Sequence, residues 1–300
     1  MTGAEARDRR LQLPDGRTLG YRVYGDVAGA PMLFLHGTPG SRLKFSIAHE
    51  AGVALRLAVV APDRWGYGLT DAPSAPSLRG FAADMGALMD RLGHASFAVG
   101  GVSGGGPYAA AVAACLPARV TALALVSPVG PIADAGLGPK LPPLHRFCFT
   151  VLPGWPRAVG VVFRAFRWSL AHTPRLAGQL TTWRAAWTDK RLIGRPEIAD
   201  RILGSFLEGL RPGSAGPNVD LALFSRPWQV HLGAITAPAR IWIGGADSNV
   251  PLAAVQALAE RIRGCEVTAM PGEGHLWVSV HHADVLAWVA SIVRADQPAD

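Results

Sequence analysis

Short, wholly apolar runs alternate along the chain with longer stretches in which apolar residues recur at helical spacing. In the first half of the chain the apolar runs lie at residues 31–35, 58–61, 97–102 and 120–126. Runs of this length without a polar face are typical of strands buried on both sides in a parallel sheet. Helical spacing follows at residues 43–56 and 78–92. The pattern predicts an α/β fold with helices on both faces of a mostly parallel, eight-stranded sheet.

The two ends of the chain are predicted to contribute further strands to the same sheet. Residues 9–24 alternate apolar and polar positions around Pro14-Asp15-Gly16, a turn sequence that predicts an antiparallel hairpin at the edge of the sheet. Strand-like runs return at residues 239–243 and 266–270, and helical spacing returns at 252–262 and 283–293. The polar tail 296–300 is predicted to fray.

Between these halves the pattern changes. From residue 131 to 232 strand-like runs disappear, and helical runs interrupted by Pro and Gly replace them. We therefore expect one core domain built from residues 1–130 and 233–300, with residues 131–232 inserted as an all-helical cap.

Composition favours a large folded domain. Hydrophobic residues make up 49% of the 300 residues and charged residues 17%, which excludes intrinsic disorder over most of the chain. No run approaches the roughly 20 apolar residues of a membrane-spanning helix, and the first ten residues lack an apolar signal segment. We expect a soluble, cytoplasmic protein. The three cysteines stand far apart, without metal-ligand spacing, so neither a disulfide nor a metal or other cofactor is predicted.

The formal net charge of +7 resides in the helical insertion, which holds 13 Lys and Arg residues against six Asp and Glu. Because 26 of the 29 basic residues in the chain are Arg, the excess points to genome composition rather than to a nucleic-acid partner. Most of these arginines are expected on solvated helix faces. The charge leaves open an acidic or carrier-bound small-molecule substrate, while the sequence does not indicate an oligomeric state.

One glycine-rich segment carries candidate chemistry. Gly101-x-Ser103-x-Gly105 lies between the apolar run 97–102 and an alanine-rich helical run, so Ser103 is predicted at a sharp turn from strand to helix. A packing turn or a phosphate loop has a similar composition, but a phosphate loop would place a Lys after the glycines. The motif alone therefore does not decide between these interpretations.

Two further residues make the serine significant. Asp247 and His275 each stand just past a predicted strand, as Ser103 does, so all three are expected at the same edge of the sheet. A serine hydroxyl needs an imidazole to accept its proton, and the imidazole needs a carboxylate to fix its tautomer and stabilise its cationic form. The order Ser, Asp, His predicts a nucleophile, an orienting acid and a general base.

At this point the chain resembles the α/β-hydrolase superfamily, over nearly its full length outside the insertion. The resemblance depends on five segments: 36–42 (HGTPGSR), 63–68 (DRWGYG), 101–105 (GVSGG), 245–251 (GADSNVP) and 272–275 (GEGH). It implies that Ser103 is the nucleophile, His275 the general base and then acid, and Asp247 the orienting carboxylate. It also implies an oxyanion hole formed by the backbone N–H groups of Gly104 and Thr38.

Other residues of these segments are assigned structural roles. His36, Asp63 and Arg64 are expected to pack and brace their loops. Trp65, Trp183 and Trp187 are the candidates for substrate contact.

Departures from related families narrow the function. Proline iminopeptidases of the superfamily carry His-Gly-Gly-Pro-Gly where this chain has Thr38, and epoxide hydrolases and haloalkane dehalogenases carry Asp where this chain has Ser103. We therefore expect a cofactor-free serine hydrolase for an ester, thioester or lactone of a moderately large apolar or aromatic molecule. Acyl transfer, C–C cleavage, a lyase or a cyclase reaction on the same triad stays open, and so does a ligand receptor with a vestigial triad.

Overall fold

The computed structural model describes residues 7–295, the side chains at 180 and 181 excepted. The first six residues and the tail 296–300, which the sequence predicts to fray, lie outside the described residues.

Eight strands form one sheet. They are β1 Arg9–Gln12, β2 Thr18–Gly25, β3 Ala30–Leu35, β4 Leu57–Pro62, β5 Phe97–Val102, β6 Val120–Val126, β7 Ala239–Gly244 and β8 Glu266–Met270. The order across the sheet is β1-β2-β4-β3-β5-β6-β7-β8. β2 pairs antiparallel with β1 and β4, and all other neighbours are parallel. The predicted edge hairpin and the mostly parallel sheet are confirmed.

Eleven α-helices lie within the described residues. They are α1 Ala48–Leu55, α2 Leu78–Arg91, α3 Gly106–Cys115, α4 Pro143–Arg146, α5 Pro156–His172, α6 Pro174–Thr182, α7 Trp187–Ile193, α8 Pro196–Gly209, α9 Ala215–Phe224, α10 Leu252–Ala259 and α11 Val278–Ala295. Short 3-10 turns at Arg42–Ile47, Ser103–Gly105, Gly138–Lys140, Leu152–Gly154 and Leu232–Ala234 and a π turn at Phe147–Val151 complete the helical segments.

Alternate side chains of the central strands supply two hydrophobic cores, one on each face of the sheet. In β3, Leu33 and Leu35 belong to the core that α2 and α3 cover, whereas Met32 and Phe34 belong to the core that α1 and α11 cover. Because successive side chains of a strand point to opposite faces, a strand between two helical layers must be apolar at every position. This arrangement explains why the apolar runs show no alternation.

Two helix boundaries differ from the prediction. The helix expected over residues 43–56 is divided into the 3-10 turn Arg42–Ile47 and α1. Ser41 caps the 3-10 turn by accepting a hydrogen bond from the N–H of Leu43. The last helix begins at Val278, ahead of the expected start at residue 283, with a kink at His281.

Helices α4 to α9 all lie between β6 and β7, and the described residues there contain no strand, as the sequence predicts. Within residues 7–295, no helix combines the length and the hydropathy that crossing a lipid bilayer would require. The helical segment between β6 and β7 follows the carboxyl end of β6, which is the edge of the sheet where ligands bind in folds of this type.

Candidate active site

Ser103 sits in the tight turn between β5 and α3. Its φ angle is +53°, a left-handed conformation that costs a non-glycine residue roughly 1–2 kcal/mol. A Cβ atom on Gly101 would lie 2.4 Å from the carbonyl oxygen of Gly105, and a Cβ atom on Gly105 would lie 2.4 Å from that of Leu35. Only glycine fits on either side of the serine, which explains the spacing of the motif.

Asp247 and His275 meet at the carboxyl ends of β7 and β8. Nδ1 of His275 lies 2.7 Å from Oδ2 of Asp247, and the other carboxylate oxygen accepts the backbone N–H of Asn249 at 2.8 Å. Burial acts to raise the pKa of Asp247, but the charge and hydrogen bond of His275 and the backbone donor outweigh it, so this pKa lies below its ordinary value. The carboxylate is therefore ionised and holds the imidazole by Nδ1, leaving Nε2 available.

A cavity of about 450 Å³ lies next to the turn that carries Ser103, and both Ser103 and His275 line it. No hydrogen bond joins the Ser103 hydroxyl to the imidazole in the part of the chain that the structure describes. In enzymes without bound substrate such contacts are often long and tighten only in the substrate complex. Apolar side chains dominate the wall, among them Leu144, Phe149, Phe163, Ile193, Phe206 and Phe224.

Thr38 and Gly104 also line this cavity and lie against each other. A Cβ atom on Gly104 would stand 2.1 Å from Oγ1 of Thr38, so the two loops approach too closely for any side chain at residue 104. The N–H groups of residues 104 and 38 therefore belong to segments that flank the Ser103 hydroxyl. The first turn of α3 adds the positive end of a helix dipole next to the same site.

The three tryptophans proposed for substrate contact do not line the cavity. Trp65 is buried in the core against Phe81, and its indole N–H donates to Asp84 at 2.8 Å. Trp183 and Trp187 lie on the surface and are 69% and 70% exposed. None of the three rings lines the cavity that holds Ser103, so this cavity does not support the substrate-contact assignment, which stays a prediction.

A sequence model described as the alpha/beta hydrolase fold matches residues 30–158. Over its full length the chain is also similar to a solved alpha/beta hydrolase fold protein from Nakamurella multipartita, with a TM-score of 0.71, 26% identity and coverage of 97% of this chain and all of that one. The chain therefore has the α/β-hydrolase fold.

Two further comparisons show that proteins similar to this chain carry different names. A non-heme chloroperoxidase of Streptomyces lividans is 34% identical over 126 residues, which are 39% of this chain and 44% of that protein. The chain thus spans less than half of the length of the curated relatives that it matches. An esterase from Exiguobacterium antarcticum shares the fold, with a TM-score of 0.69, 18% identity and coverage of 96% of this chain and all of that chain.

The buried side chain of Arg64 fixes the loop that carries Thr38. The guanidinium donates to the carbonyl oxygen of His36 at 2.9 Å, to that of Gly37 at 3.0 Å and to Oγ1 of Thr38 at 3.0 Å. Nε2 of His36 in turn accepts the backbone N–H of Arg64 at 2.9 Å. Both side chains are fully buried. The bracing roles expected for His36 and Arg64 agree with these contacts.

The charge of Arg64 is balanced by Asp220, a fully buried residue of α9 that sequence reasoning missed. Asp220 also accepts hydrogen bonds from Tyr67 at 2.7 Å and Tyr108 at 2.6 Å, and from Thr38 at 2.5 Å. Burial and the neighbouring carboxylate raise the pKa of both tyrosines well above the usual range, so both remain donors. An acid from the helical segment thereby fixes the loop of residues 36–38 from inside the core.

A second buried acid of the helical segment holds the other loop. Asp189 of α7 is 1% exposed, and its two carboxylate oxygens accept the backbone N–H groups of His275 at 2.9 Å and Leu276 at 2.8 Å. Thr188 accepts the N–H of Gly274 at 3.0 Å. Three successive amides around the histidine are therefore bound by two successive residues of α7.

The sequence carries a faint signal for Asp220 and none for Asp189. Asp220 is a single charge within the otherwise apolar run Ala215–Phe224, where an unpaired carboxylate would be costly. Asp189 lies between two polar residues, the half-buried Thr188 and the exposed Lys190, so no periodicity marks it as buried.

Proposed function

We propose that this protein is a cofactor-independent serine hydrolase that cleaves a carboxylic ester, thioester or lactone through an acyl-enzyme on Ser103. The observation that carries the proposal is that His275, whose Nδ1 lies 2.7 Å from the carboxylate of Asp247, lines the same cavity as Ser103. A buried, ionised carboxylate on Nδ1 makes Nε2 a base on the side of the cavity.

The reaction proceeds in two halves. Ser103 Oγ attacks the carbonyl carbon while its proton passes to Nε2 of His275, and the C=O electrons move onto the oxygen. When the tetrahedral species collapses, the alcohol or thiol leaves with that proton and the acyl group stays on Ser103. Water then attacks the acyl-enzyme, gives a proton to His275 and releases the acid, and the proton returns to Ser103.

Two sets of groups stabilise the charges that form. The N–H groups of Gly104 and Thr38 stabilise the oxyanion, and loss of one such donor typically lowers turnover by about 10²- to 10³-fold. Asp247 stabilises the imidazolium. Arg64 and Asp220 keep the Thr38 loop at a fixed distance from Gly104, and Asp189 does the same for the His275 backbone.

The cavity defines the substrate class. Its volume of about 450 Å³ and its aromatic and aliphatic wall suit a moderately large apolar acyl or alcohol group. In this proposal residues 131–232 act as the cap that encloses this group, over a core of residues 1–130 and 233–300. The name of the related esterase, and of a lipase from Psychrobacter immobilis that is 33% identical over 125 residues, supports ester cleavage.

A graded panel of p-nitrophenyl esters, acetate to laurate, tests the proposal. We expect turnover with an optimum at medium chain length, a loss of at least about 10³-fold in Ser103→Ala, and normal rates in Ser46→Ala, which makes the same change at an exposed serine. Wild-type rates in Ser103→Ala would contradict the proposal.

Labelled water separates hydrolysis from the alternative chemistry of the same triad. In ¹⁸O-water each released acid should contain one ¹⁸O atom from the second half-reaction. Turnover without incorporation would favour acyl transfer or another non-hydrolytic reaction instead. Binding without turnover of any ester would favour a receptor.

A further inference from the structure

Lys44 is a cation on the wall of a mostly apolar cavity. It belongs to the 3-10 turn Arg42–Ile47 that follows the Thr38 loop, and it lines the same cavity as Ser103 and His275. Its side chain is partly buried, and its ammonium forms no hydrogen bond or ion pair with any residue that the structure describes.

A smaller cavity of about 40 Å³ continues the large one at this point. The two share Lys44, Ile202, Phe206 and Leu276 as walls, and the smaller adds Arg201 of α8. This space accommodates a group of a few heavy atoms. Arg201 likewise forms no ion pair within residues 7–295, so two unpaired cations border the same small space.

The acids of the surrounding elements are engaged with other donors. Asp189 accepts backbone N–H groups, Asp247 binds His275, and Glu208, on the same helix as Arg201, binds Arg42 at 2.8 Å. Burial lowers the pKa of Lys44 to about 8, and no carboxylate offsets that effect. A cation in this position is stabilised when an anion from outside the chain binds beside it.

We propose that Lys44 and Arg201 form a carboxylate-binding subsite, and that the substrate is therefore an ester whose apolar chain ends in a carboxylate. The inference rests on the proposed function, because it names the substrate class of the same cavity. The apolar part of the substrate fills the cavity between Ser103 and Lys44, and its charged end reaches the smaller space.

Matched ester pairs test this subsite. The first series compares mono-p-nitrophenyl esters of adipic, suberic and sebacic acid with p-nitrophenyl esters of neutral alkanoic acids of equal length. The second series places the carboxylate in the alcohol part, as acyl esters of ω-hydroxy acids, and compares these with acyl esters of neutral alcohols. We expect the wild-type protein to prefer the carboxylate member of at least one pair by about 10-fold or more in kcat/KM. In Lys44→Met this preference ratio should fall by about 10- to 100-fold, as expected for loss of a charge-assisted hydrogen bond.

Controls separate the subsite from general charge. Lys140→Met removes one charge from an exposed position and should leave the ratio unchanged. Arg201→Met should also lower the ratio, because Arg201 lines the smaller cavity that receives the carboxylate. A preference for the neutral esters, or a preference ratio that Lys44→Met leaves unaltered, would overturn the subsite. If Ser103 still hydrolyses the neutral esters in that case, the proposed function remains intact.

Calorimetry provides a readout that does not need turnover. Suberate should bind to Ser103→Ala at least about 10-fold more tightly than to Ser103→Ala/Lys44→Met, whether or not any ester is cleaved. Equal binding, or no binding, to the two variants would overturn the inference. If no ester is cleaved but suberate binding depends on Lys44, the subsite stands and the proposed reaction fails.

Discussion

The two loops that flank Ser103 are both held by buried acids from the helical segment between β6 and β7, but through different partners. Asp220 binds only side chains, and three of its four partners, Arg64, Tyr67 and Tyr108, are fully buried. Asp189 binds only backbone N–H groups of the loop that carries His275. The first arrangement compensates a buried charge, whereas the second orients a segment of main chain.

The two acids therefore differ in role: Asp220 contributes to the stability of the fold, whereas Asp189 positions the loop that carries His275. Removing Asp220 leaves the Arg64 charge without a counterion in a place that water does not reach, and such a loss threatens the fold. Removing Asp189 leaves amides without acceptors near the edge of the cavity, where the loop can shift to find others. We therefore expect loss of Asp220 to destabilise the folded protein, and loss of Asp189 to lower the turnover of a protein that still folds.

The largest expected effect is that of Asp220→Ala. We expect its free energy of unfolding to fall by about 3–5 kcal/mol, since one member of a buried ion pair is lost, and urea denaturation measures the change. Asp220→Asn keeps acceptor capacity without the charge, so its free energy of unfolding should lie between those of Asp220→Ala and the wild type. If Asp220→Ala does not fold, Asp220→Asn is the variant to measure.

Tyr108→Phe is the matched control for this network. It removes one neutral donor to Asp220 and should cost about 1 kcal/mol. A loss for Asp220→Ala no larger than that of Tyr108→Phe would show that charge compensation is not what matters there.

The next effect concerns Asp189→Asn, which keeps the size of the side chain but loses one acceptor oxygen. We expect kcat for a good ester to fall by about 10- to 100-fold, because displacement of a catalytic group by about 1 Å can cost 10²-fold. The free energy of unfolding should fall by about 1–3 kcal/mol, the usual cost of unsatisfied buried donors. Steady-state kinetics together with urea denaturation measure both.

Asp200→Asn, the same change at an exposed residue of α8, serves as the control and should alter neither quantity. If Asp189→Asn instead raised KM with kcat unchanged, Asp189 would act on substrate binding and the positioning role would be wrong.

The smallest expected effect is a dependence of stability on pH through Asp247. Because its pKa is lower in the folded protein than in the unfolded chain, Asp247 contributes stability in full above its unfolded pKa of about 4, and loses it as pH falls through the folded value. The difference in unfolding free energy between wild type and Asp247→Asn should therefore shrink on acidification below about pH 4. A difference that grows in acid would contradict this assignment.

The features that could be predicted from the sequence are those that leave a pattern within a short stretch of the chain. The strands were predictable because burial on both faces leaves no room for polar residues, and the surroundings of Ser103 because only glycine fits at residues 101 and 105. Asp220 and Arg64 are 156 positions apart in the chain, so no local pattern connects them. The three tryptophan candidates do not line the cavity, because ring size does not reveal whether a residue lies in a core, in a cavity wall or in solvent.

The most direct test of the whole account is covalent labelling of the folded protein with a fluorophosphonate, followed by intact mass measurement and peptide mapping. We predict one adduct per chain, located on Ser103, with labelling lost in Ser103→Ala and slowed by at least about 10²-fold in His275→Ala. A folded wild-type protein that stays unlabelled, or that carries the adduct on another serine, would contradict the assignment of Ser103 as a nucleophile activated by His275.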